Sequence, residues 1–266
     1  MRLNKVLISG GAGFIGSNLA LALVKKGYQV RVLDNLSPQV HGNNARETSP
    51  LYQSIFDKVD FIKGTVTSRK DWREALEGQD AVIHLAAETG TGQSMYEIKK
   101  YCDVNIFGTS QLVDILTNKK HSIQKIIVAS SRAIYGEGKY KCQNHGIVYP
   151  EARTDEAMQK GDFNCKCPIC NSDVDLMATS EDSKIHPTSI YGITKQCQEQ
   201  LVLTVGRAIG IPAMALRYQN VYGPGLSLKN PYTGILSIFS TQIKNNNNIN
   251  IFEDGKESRD FVYSLG

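Results

Sequence analysis

The sequence has no long apolar run: no stretch of its 266 residues approaches the roughly 18 apolar residues that suggest a membrane helix. It enters an apolar strand pattern directly and lacks the charged segment, long apolar stretch and small-residue cleavage site of a secretory signal. It also lacks a basic run, because its 30 Lys and Arg residues are spread among 26 acidic ones, for a net charge of +4. These absences predict a soluble cytoplasmic protein that binds neither a membrane nor nucleic acid.

Short β-branched runs alternate with helical patterns along the chain. Hydrophobic residues make up 41% of it, enough for one large core or two modest ones. The strand-like runs are KVLISG, QVRVLDN, VDFIKG, AVIHLAA, KIIVASS and PAMALRYQNVYG, and helical spacing marks residues 14–26, 71–77, 103–118 and 191–208. Strands that alternate with helices indicate βαβ units. We therefore predict an α/β fold with a doubly wound parallel sheet of the Rossmann type.

This alternation divides the chain into four parts. Residues 1–138 form the Rossmann core, and residues 188–222 add a long helix and the last core strand. Between them, residues 139–187 are polar, contain cysteines and are far longer than an ordinary connection of about 4 to 6 residues, which predicts an insertion with its own structure. Residues 223–266 form a small lobe, with a turn at the Asn run 245–248 and a last short strand at INIFEDG.

The stretch SGGAGFIGSNLA ends the first predicted strand and opens the first predicted helix. Gly10 and Gly13 give the tight turn that lets backbone approach a pyrophosphate, and Gly16 lets the helix pack closely on the sheet. A glycine motif alone also fits an ordinary strand-to-helix turn. Here Asp34 follows about 20 residues later, where a carboxylate accepts the hydroxyls of an adenine ribose and repels a 2′-phosphate. The combination predicts NAD binding, with NAD preferred over NADP.

Seven motifs in order make the chain resemble the extended short-chain dehydrogenase family of nucleotide-sugar epimerases and dehydratases. They are GGAGFIG, VLDNLS, HLAA, SSRAIYG, YGITK, RYQNVYGP and EDGKESRDFVY, and they cover nearly the whole chain. The resemblance implies a nucleotide-sugar substrate, with Asn220 near its diphosphate and Arg259 as a phosphate partner; the alternatives are a turn residue and a solvated charge. The implied cofactor-binding positions are Gly10, Gly13, Phe14, Ile15, Gly16, Asp34, Asn35, Leu85, Ala86, Ala87, Asn105, Tyr191 and Lys195.

The motif YGITK places Tyr191 and Lys195 four residues apart, on one face of a helix. An ammonium beside a phenol favours the ionised phenol, so Tyr191 is predicted to act as a base near neutral pH, with help from the positive nicotinamide. By spacing alone, an amphipathic helix with a chance Tyr and Lys fits as well. The glycine motif and SSRAIYG favour the catalytic interpretation.

The strand KIIVASS ends at the carboxyl edge of the sheet, where open α/β folds bind ligands. Counted back from the Tyr-Gly pair, Ser131 matches the catalytic Ser or Thr of the family, and we expect it to hold the reacting sugar oxygen. Glucose 4,6-dehydratases of the family carry Asp-Glu after that residue, whereas this chain has Arg132 and Ala133. The absence of that acid pair favours oxidation and re-reduction at one carbon, which is epimerisation at C4 through a 4-keto sugar.

Four residues of the inserted segment have the spacing of a zinc site. Cys142 and His145 form a C-x2-H pair, and Cys167 and Cys170 form a C-x2-C pair. Four protein ligands close the site, which predicts a structural zinc ion. Cys165 is the rival ligand to His145, and a redox C-x-x-C motif or free thiols are the other interpretations.

The insertion, SSRAIYGEG and the run NVYGPGLSLKNPYTGILSIFS resemble the branch of the family that includes dTDP-L-rhamnose 4-epimerases, which supply deoxysugars for polysaccharide biosynthesis. Relatives continue well beyond RDFVY, so we expect a partial substrate lobe. An NAD-binding remnant without turnover, an NDP-sugar dehydratase and a keto-sugar reductase remain alternatives. By analogy with relatives, we expect a homodimer formed through the helices at 103–118 and 191–208.

Overall fold

The structure is a computed structural model that describes residues 3–226 and 234–264. In chain order its strands are β1 (Lys5–Ser9), β2 (Gln29–Asp34), β3 (Asp60–Lys63), β4 (Ala81–His84), β5 (Lys125–Ser131), β6 (Tyr140–Cys142), β7 (Gly146–Val148), β8 (Asp175–Leu176), β9 (Ala213–Tyr218), β10 (Asn220–Tyr222) and β11 (Phe261–Tyr263). The helices are α1 (Phe14–Lys25), α2 (Pro38–His41), α3 (Ala45–Thr48), α4 (Pro50–Ile55), α5 (Arg69–Leu76), α6 (Thr91–Ser94), α7 (Ile98–Tyr101), α8 (Gly108–Asn118), α9 (Asp155–Gln159), α10 (Ile190–Ala208) and α11 (Ile235–Lys244).

Six strands form one parallel sheet in the order β3-β2-β1-β4-β5-β9. In β1, Val6 and Ile8 belong to a buried cluster with Ala20 of α1 on one face of the sheet. The intervening Leu7 belongs to a second buried cluster with Trp72 of α5 on the opposite face. Helices therefore cover both faces, and the predicted doubly wound fold of the Rossmann type is confirmed.

The strand order places β1 between β2 and β4, so the chain builds the sheet outward in both directions from its centre. At such a reversal the loops after the two central strands diverge and leave a crevice at their carboxyl ends. The loops that follow β1, β4 and β5 meet at this edge, where the predicted cofactor and catalytic residues lie.

The inserted segment contains its own antiparallel sheet, in the order β7-β6-β8. Its small buried cluster consists of Cys142, Val148 and Cys167, with Tyr140 and Cys170 packed against it. Since burial of so few apolar side chains gives little stability, this sheet needs support beyond its core.

The predicted strand at INIFEDG is wrong: residues 249–255 are irregular and include a turn. Glu253 and Gly255 have φ of 55° and 75°, left-handed values that a strand does not accommodate. The last strand is instead β11, which pairs in parallel with β10 in a separate sheet. The run PAMALRYQNVYG also forms two strands, β9 and β10, rather than one.

The predicted turn in the Asn run is confirmed, because α11 ends at Lys244 and a turn follows. The helix predicted at 103–118 begins differently, since Cys102–Phe107 forms a π-helical turn before α8. Residues 227–233, which belong to the run NVYGPGLSLKNPYTGILSIFS, lie outside the described residues. Within the described part of the chain, no helix has the length and apolar character needed to cross a membrane.

Candidate active site

One cavity of about 1250 Å³ opens at the carboxyl edge of the large sheet. Every predicted cofactor and substrate residue lines it except Asn105, which lies fully buried behind the wall. The Asn105 side chain accepts from Glu88 N at 2.8 Å and donates to Thr194 Oγ1 at 2.9 Å. In the protein alone, Asn105 therefore supports the cavity wall and does not face the cavity.

The glycine loop leaves no room for side chains. Gly10 has a φ of +71°, and a Cβ added there would lie 2.7 Å from Ala86 N. A Cβ at Gly16 would lie 2.3 Å from Gly10 O. Helix α1 follows, and no side chain caps its N-terminus at Gly13. This arrangement lets backbone N–H groups face an anion, which fits the pyrophosphate of a dinucleotide.

Asp34 stands at the end of β2 beside this loop. Its carboxylate accepts from Ala12 N and from Leu36 N, each at 2.9 Å. Burial raises the pKa of Asp34, and these two hydrogen bonds together with His41 offset part of the rise. His41, whose Nε2 lies 4.0 Å from the carboxylate, also lines the cavity and was not singled out from the sequence.

Ser131, Tyr191 and Lys195 come together on one side of the cavity. Ser131 ends β5, and its hydroxyl accepts from Ala133 N at 3.1 Å. Burial raises the pKa of Tyr191, and the nearby Ser131 hydroxyl offsets part of the rise. Lys195 Nζ donates to Gln198 Oε1 at 2.6 Å, and the lowering of the Tyr191 pKa by Lys195 together with a bound nicotinamide stays a prediction. Burial lowers the pKa of Lys195 to about 7.

Arginine side chains also line the cavity. Arg259 forms an ion pair with Glu257, and Asn220 lies on the neighbouring strand β10. Arg132, next to Ser131, donates to Gly136 O at 3.3 Å, and burial together with the nearby Arg259 lowers its pKa. Glu257 offsets the charge of Arg259, and the guanidinium groups of Arg132 and Arg259 offer donors for an anionic group such as a diphosphate.

Arg153 is a cavity residue that the sequence analysis missed. It belongs to the inserted segment, and its guanidinium donates to Glu253 Oε2 at 2.5 Å and lies 3.8 Å from Glu257 Oε1. The ion pair connects the insertion to the lobe that contains Arg259. Since its two partners are 100 residues apart, no local pattern in the sequence indicates it.

Cys142, His145, Cys167 and Cys170 form a compact cluster whose ligand atoms all lie within 4.8 Å of one another. Cys142 Sγ lies 3.7 Å from Cys170 Sγ and 3.6 Å from His145 Nδ1, and Cys167 Sγ lies 3.7 Å from His145 Nδ1. Ligand atoms about 2.3 Å from a central zinc ion at tetrahedral angles lie about 3.7 Å apart, so the four residues fit that ion.

The remaining cysteines lie outside this cluster. Cys165, the rival ligand to His145, is buried with its thiol 3.3 Å from the Tyr140 hydroxyl. Cys102 and Cys197 are half-buried.

The model of the NAD dependent epimerase/dehydratase family matches residues 6–155 and 171–265. The dTDP-L-rhamnose 4-epimerase of Burkholderia thailandensis is 36% identical over 260 residues, which cover 97% of this chain and 69% of that protein. The UDP-N-acetylglucosamine 4-epimerase of Methanobrevibacter ruminantium, solved with UDP-N-acetylmuramic acid, superposes with a TM-score of 0.74 at 28% identity, over 99% of this chain and 70% of that one.

A second solved structure contains the cofactor. The UDP-glucuronic acid 4-epimerase of Bacillus cereus, in complex with UDP-glucuronic acid and NAD, superposes with a TM-score of 0.72 at 28% identity, over 98% of this chain and 69% of that one. The family match is interrupted only within the inserted segment, which contains Cys165, Cys167 and Cys170. From the motifs, the fold and these similarities together, the chain belongs to the NAD dependent epimerase/dehydratase family.

Proposed function

We propose that the protein is an NAD-dependent 4-epimerase of a nucleotide sugar and forms a transient 4-keto sugar. The observation that carries the proposal is the shared cavity: Ser131, Tyr191 and Lys195 line the same space as the glycine loop and Asp34. A sugar that is held by the first group lies against a dinucleotide that is held by the second, which is the arrangement that hydride transfer requires.

The proposed steps assign one task to each side chain. The glycine loop and Asp34 would hold NAD, which when bound would supply the acceptor for the C4 hydride and the donor for its return. Tyr191 Oη removes the proton of the 4-hydroxyl and gives it back after the sugar has turned in the cavity. The Ser131 hydroxyl, which lines the same cavity as Tyr191, holds the 4-oxygen within reach of that phenol. The positive charge of Lys195 favours the phenolate form of Tyr191.

Epimerisation is favoured over dehydration by the residues that follow Ser131. Elimination of water from the sugar needs a second acid and base, which the dehydratases of the family carry as Asp-Glu. Arg132 and Ala133 occupy those positions, and Arg132 lines the cavity. A guanidinium and a methyl group cannot perform that proton transfer, so the reaction stops at re-reduction of the keto group.

The substrate that we propose is a dTDP-6-deoxyhexose, with dTDP-L-rhamnose as the first candidate. The similarity to the Burkholderia thailandensis enzyme supports it. We assign the diphosphate to Asn220 and Arg259, because both line the cavity and offer hydrogen-bond donors. The activity serves polysaccharide biosynthesis in this proposal.

We also propose a homodimer that is formed through α8 and α10 and the π-helical turn before α8. Large apolar side chains are exposed on these elements, with Phe107 exposed at 49% and Ile193 at 42%. Pairing of the two helices with their counterparts in a second copy would cover both side chains.

The proposed reaction is tested by proton NMR of dTDP-L-rhamnose incubated with the purified protein and NAD. We expect the C4 epimer to appear, and we expect Tyr191→Phe to abolish it while NAD binding persists. If dTDP-L-rhamnose and a panel of UDP-hexoses all stay unchanged while NAD binds, the epimerase proposal fails and the protein is an NAD-binding remnant.

A second proposal concerns the metal: we assign a structural zinc ion to Cys142, His145, Cys167 and Cys170. Its support is the tetrahedral spacing of the ligand atoms and the small core of the inserted sheet. Elemental analysis of the purified protein should find one zinc ion per chain. Cys167→Ser should lose it, whereas Cys165→Ser, a buried cysteine of the same segment outside the cluster, should keep it. Metal-free wild-type protein with unchanged thermal stability would refute the assignment.

A further inference from the structure

A buried chain of hydrogen bonds begins at Lys195 and runs into the core. Lys195 Nζ donates to Gln198 Oε1 at 2.6 Å, Gln198 Nε2 donates to Thr109 Oγ1 at 2.8 Å, and Thr109 donates to Asn105 O at 2.6 Å. None of these four residues is more than 2% exposed. Water therefore does not compete for these bonds, and each donor depends on its protein acceptor.

The direction of every bond in this chain is fixed by its ends. An ammonium only donates and a backbone carbonyl only accepts, so Lys195 fixes the first bond and Asn105 O fixes the last. The Gln198 amide must turn its oxygen to Lys195 and its nitrogen to Thr109. The single hydrogen of the Thr109 hydroxyl is committed to Asn105 O. Thr109 thus holds the Gln198 amide in the one orientation that offers Lys195 an acceptor.

His84 joins the same chain on the side of the glycine loop. Its Nε2 lies 2.9 Å from Thr109 Oγ1, and its Nδ1 lies 2.6 Å from Ser9 Oγ. Because the Thr109 hydrogen is already committed, we assign the tautomer in which His84 donates from Nε2 and accepts at Nδ1 from Ser9, the residue before Gly10; Gln198 Nε2, 3.3 Å from His84 Nε2, then donates to Thr109. Burial lowers the pKa of His84 to about 3, so the imidazole is neutral and adds no charge beside Lys195.

No carboxylate among the described residues forms an ion pair with Lys195, and burial is the cause that shifts its pKa. Glu199, on the same helix, is engaged by Arg217 at 2.7 Å, and Asp103 is engaged by Lys99. Other titratable side chains on α10 and on the elements packed around it include Tyr191, Cys197, Arg207, His84, Lys100, Tyr101, Cys102, Asp114, Lys125, Arg132, Tyr135 and Tyr218. Gln198 is therefore a neutral acceptor for a buried positive charge.

We propose that Gln198 is a positioning residue: its amide, oriented by Thr109, fixes the Lys195 ammonium in the cavity wall without cancelling its charge. A carboxylate at the same place would hold the ammonium equally well but would neutralise its field. The neutral acceptor leaves that field to act on the Tyr191 phenol. This last consequence rests on the proposed function, whereas the positioning itself does not.

The test is an NMR titration of the protein labelled with [ε-13C]lysine, in which the Lys195 resonance is assigned by its loss in Lys195→Met. Gln198→Glu, a near-isosteric change, should raise the titration midpoint of Lys195 by about one pH unit or more, a tenfold change in proton affinity. Gln198→Leu removes the acceptor and should lower the midpoint. The control is Gln200→Glu, an exposed position on the same helix, which should leave the midpoint unchanged.

If Gln198 had only a structural role, Gln198→Glu and Gln198→Leu would both lower stability, and the titration midpoint of Lys195 would not shift in opposite directions. An unchanged midpoint in Gln198→Glu, or shifts of the same sign in both variants, would overturn the proposal. If Gln198→Leu does not fold, the comparison of the Lys195 midpoint in Gln198→Glu with that in Gln200→Glu is sufficient to test the proposal. Where the wild type epimerises a sugar, the alkaline limb of kcat should move with the midpoint. A wild type without turnover refutes the proposed function and leaves the titration as the test of Gln198.

Discussion

Gly16 is the position at which the smallest change should disturb cofactor binding most. In Gly16→Ala the new methyl group would lie 2.3 Å from Gly10 O, 2.6 Å from Gly11 Cα and 3.0 Å from Gly11 C. All three neighbours are backbone atoms, so no side chain can turn away to make room. The glycine loop itself has to move by several tenths of an ångström or more.

The magnitude follows from two opposing effects. Overpacking of this kind costs about 1 to 3 kcal/mol. Replacement of glycine by alanine within a helix contributes about 1 kcal/mol in the opposite direction, and Gly16 lies in the first turn of α1, where this gain is small. We expect a net loss of about 1 to 2 kcal/mol in stability, which corresponds to about 2 to 8 °C in Tm for a chain of this size.

The displaced loop should also misdirect the N–H groups that face the pyrophosphate. Loss of one hydrogen bond to a charged group costs about 1.5 to 3 kcal/mol, so the Kd for NAD should rise about tenfold to a hundredfold. Calorimetry gives the Kd and thermal melting gives the Tm. The control is Gly92→Ala, because a Cβ at Gly92 meets nothing within 4 Å and should change neither quantity. A Gly16→Ala protein that melts and binds NAD as the wild type does would refute this reasoning.

Three further predictions concern charges and the metal cluster. Burial raises the pKa of Glu199, but the hydrogen bonds from Arg217 outweigh it and lower the pKa overall, so the ion pair stabilises fully at neutral pH. Glu199→Gln should cost about 3 kcal/mol at pH 7, and the difference in unfolding free energy should shrink as the pH falls through that lowered pKa. Arg153→Met should raise KM for the nucleotide sugar about tenfold and leave the Kd for NAD unchanged, with Glu253→Gln as the matched variant in steady-state assays. Zinc chelation should lower the Tm of the wild type but not of Cys167→Ser.

Local patterns predicted the central part of the fold. The runs KVLISG and QVRVLDN form β1 and β2, because a buried parallel strand needs a short run of β-branched and other apolar residues. The same rule failed at INIFEDG, where alternating apolar residues suggested a strand. Ile251 and Phe252 are exposed at 73% and 70%, so nothing packs against them to hold an extended chain.

In the candidate site, too, local sequence patterns predicted some features and not others. The glycine loop and the Tyr-Lys spacing were readable, because each depends on residues within one turn or one helix. The contact between Arg153 and Glu253 was not, since it depends on tertiary structure alone. The interaction of Lys195 with Gln198 is local, but its meaning depends on Thr109 and on burial, neither of which the motif reports.

Because Cys102–Phe107 forms a π-helical turn, we expect the structure here to tolerate substitutions better than the deletion of a residue. A π-turn contains one residue more than the α-helical turn that it replaces, and that extra residue sets the angle at which the preceding side chains face the core. Deletion of a single residue here would restore a regular helix. The residues before the deletion would then rotate about the helix axis by about 100° relative to those after it. Asn105 would then turn away from Glu88 and Thr194. Homologous sequences should therefore vary freely in the exposed residues of this turn, whereas a one-residue deletion should be tolerated only together with a rebuilt cavity wall.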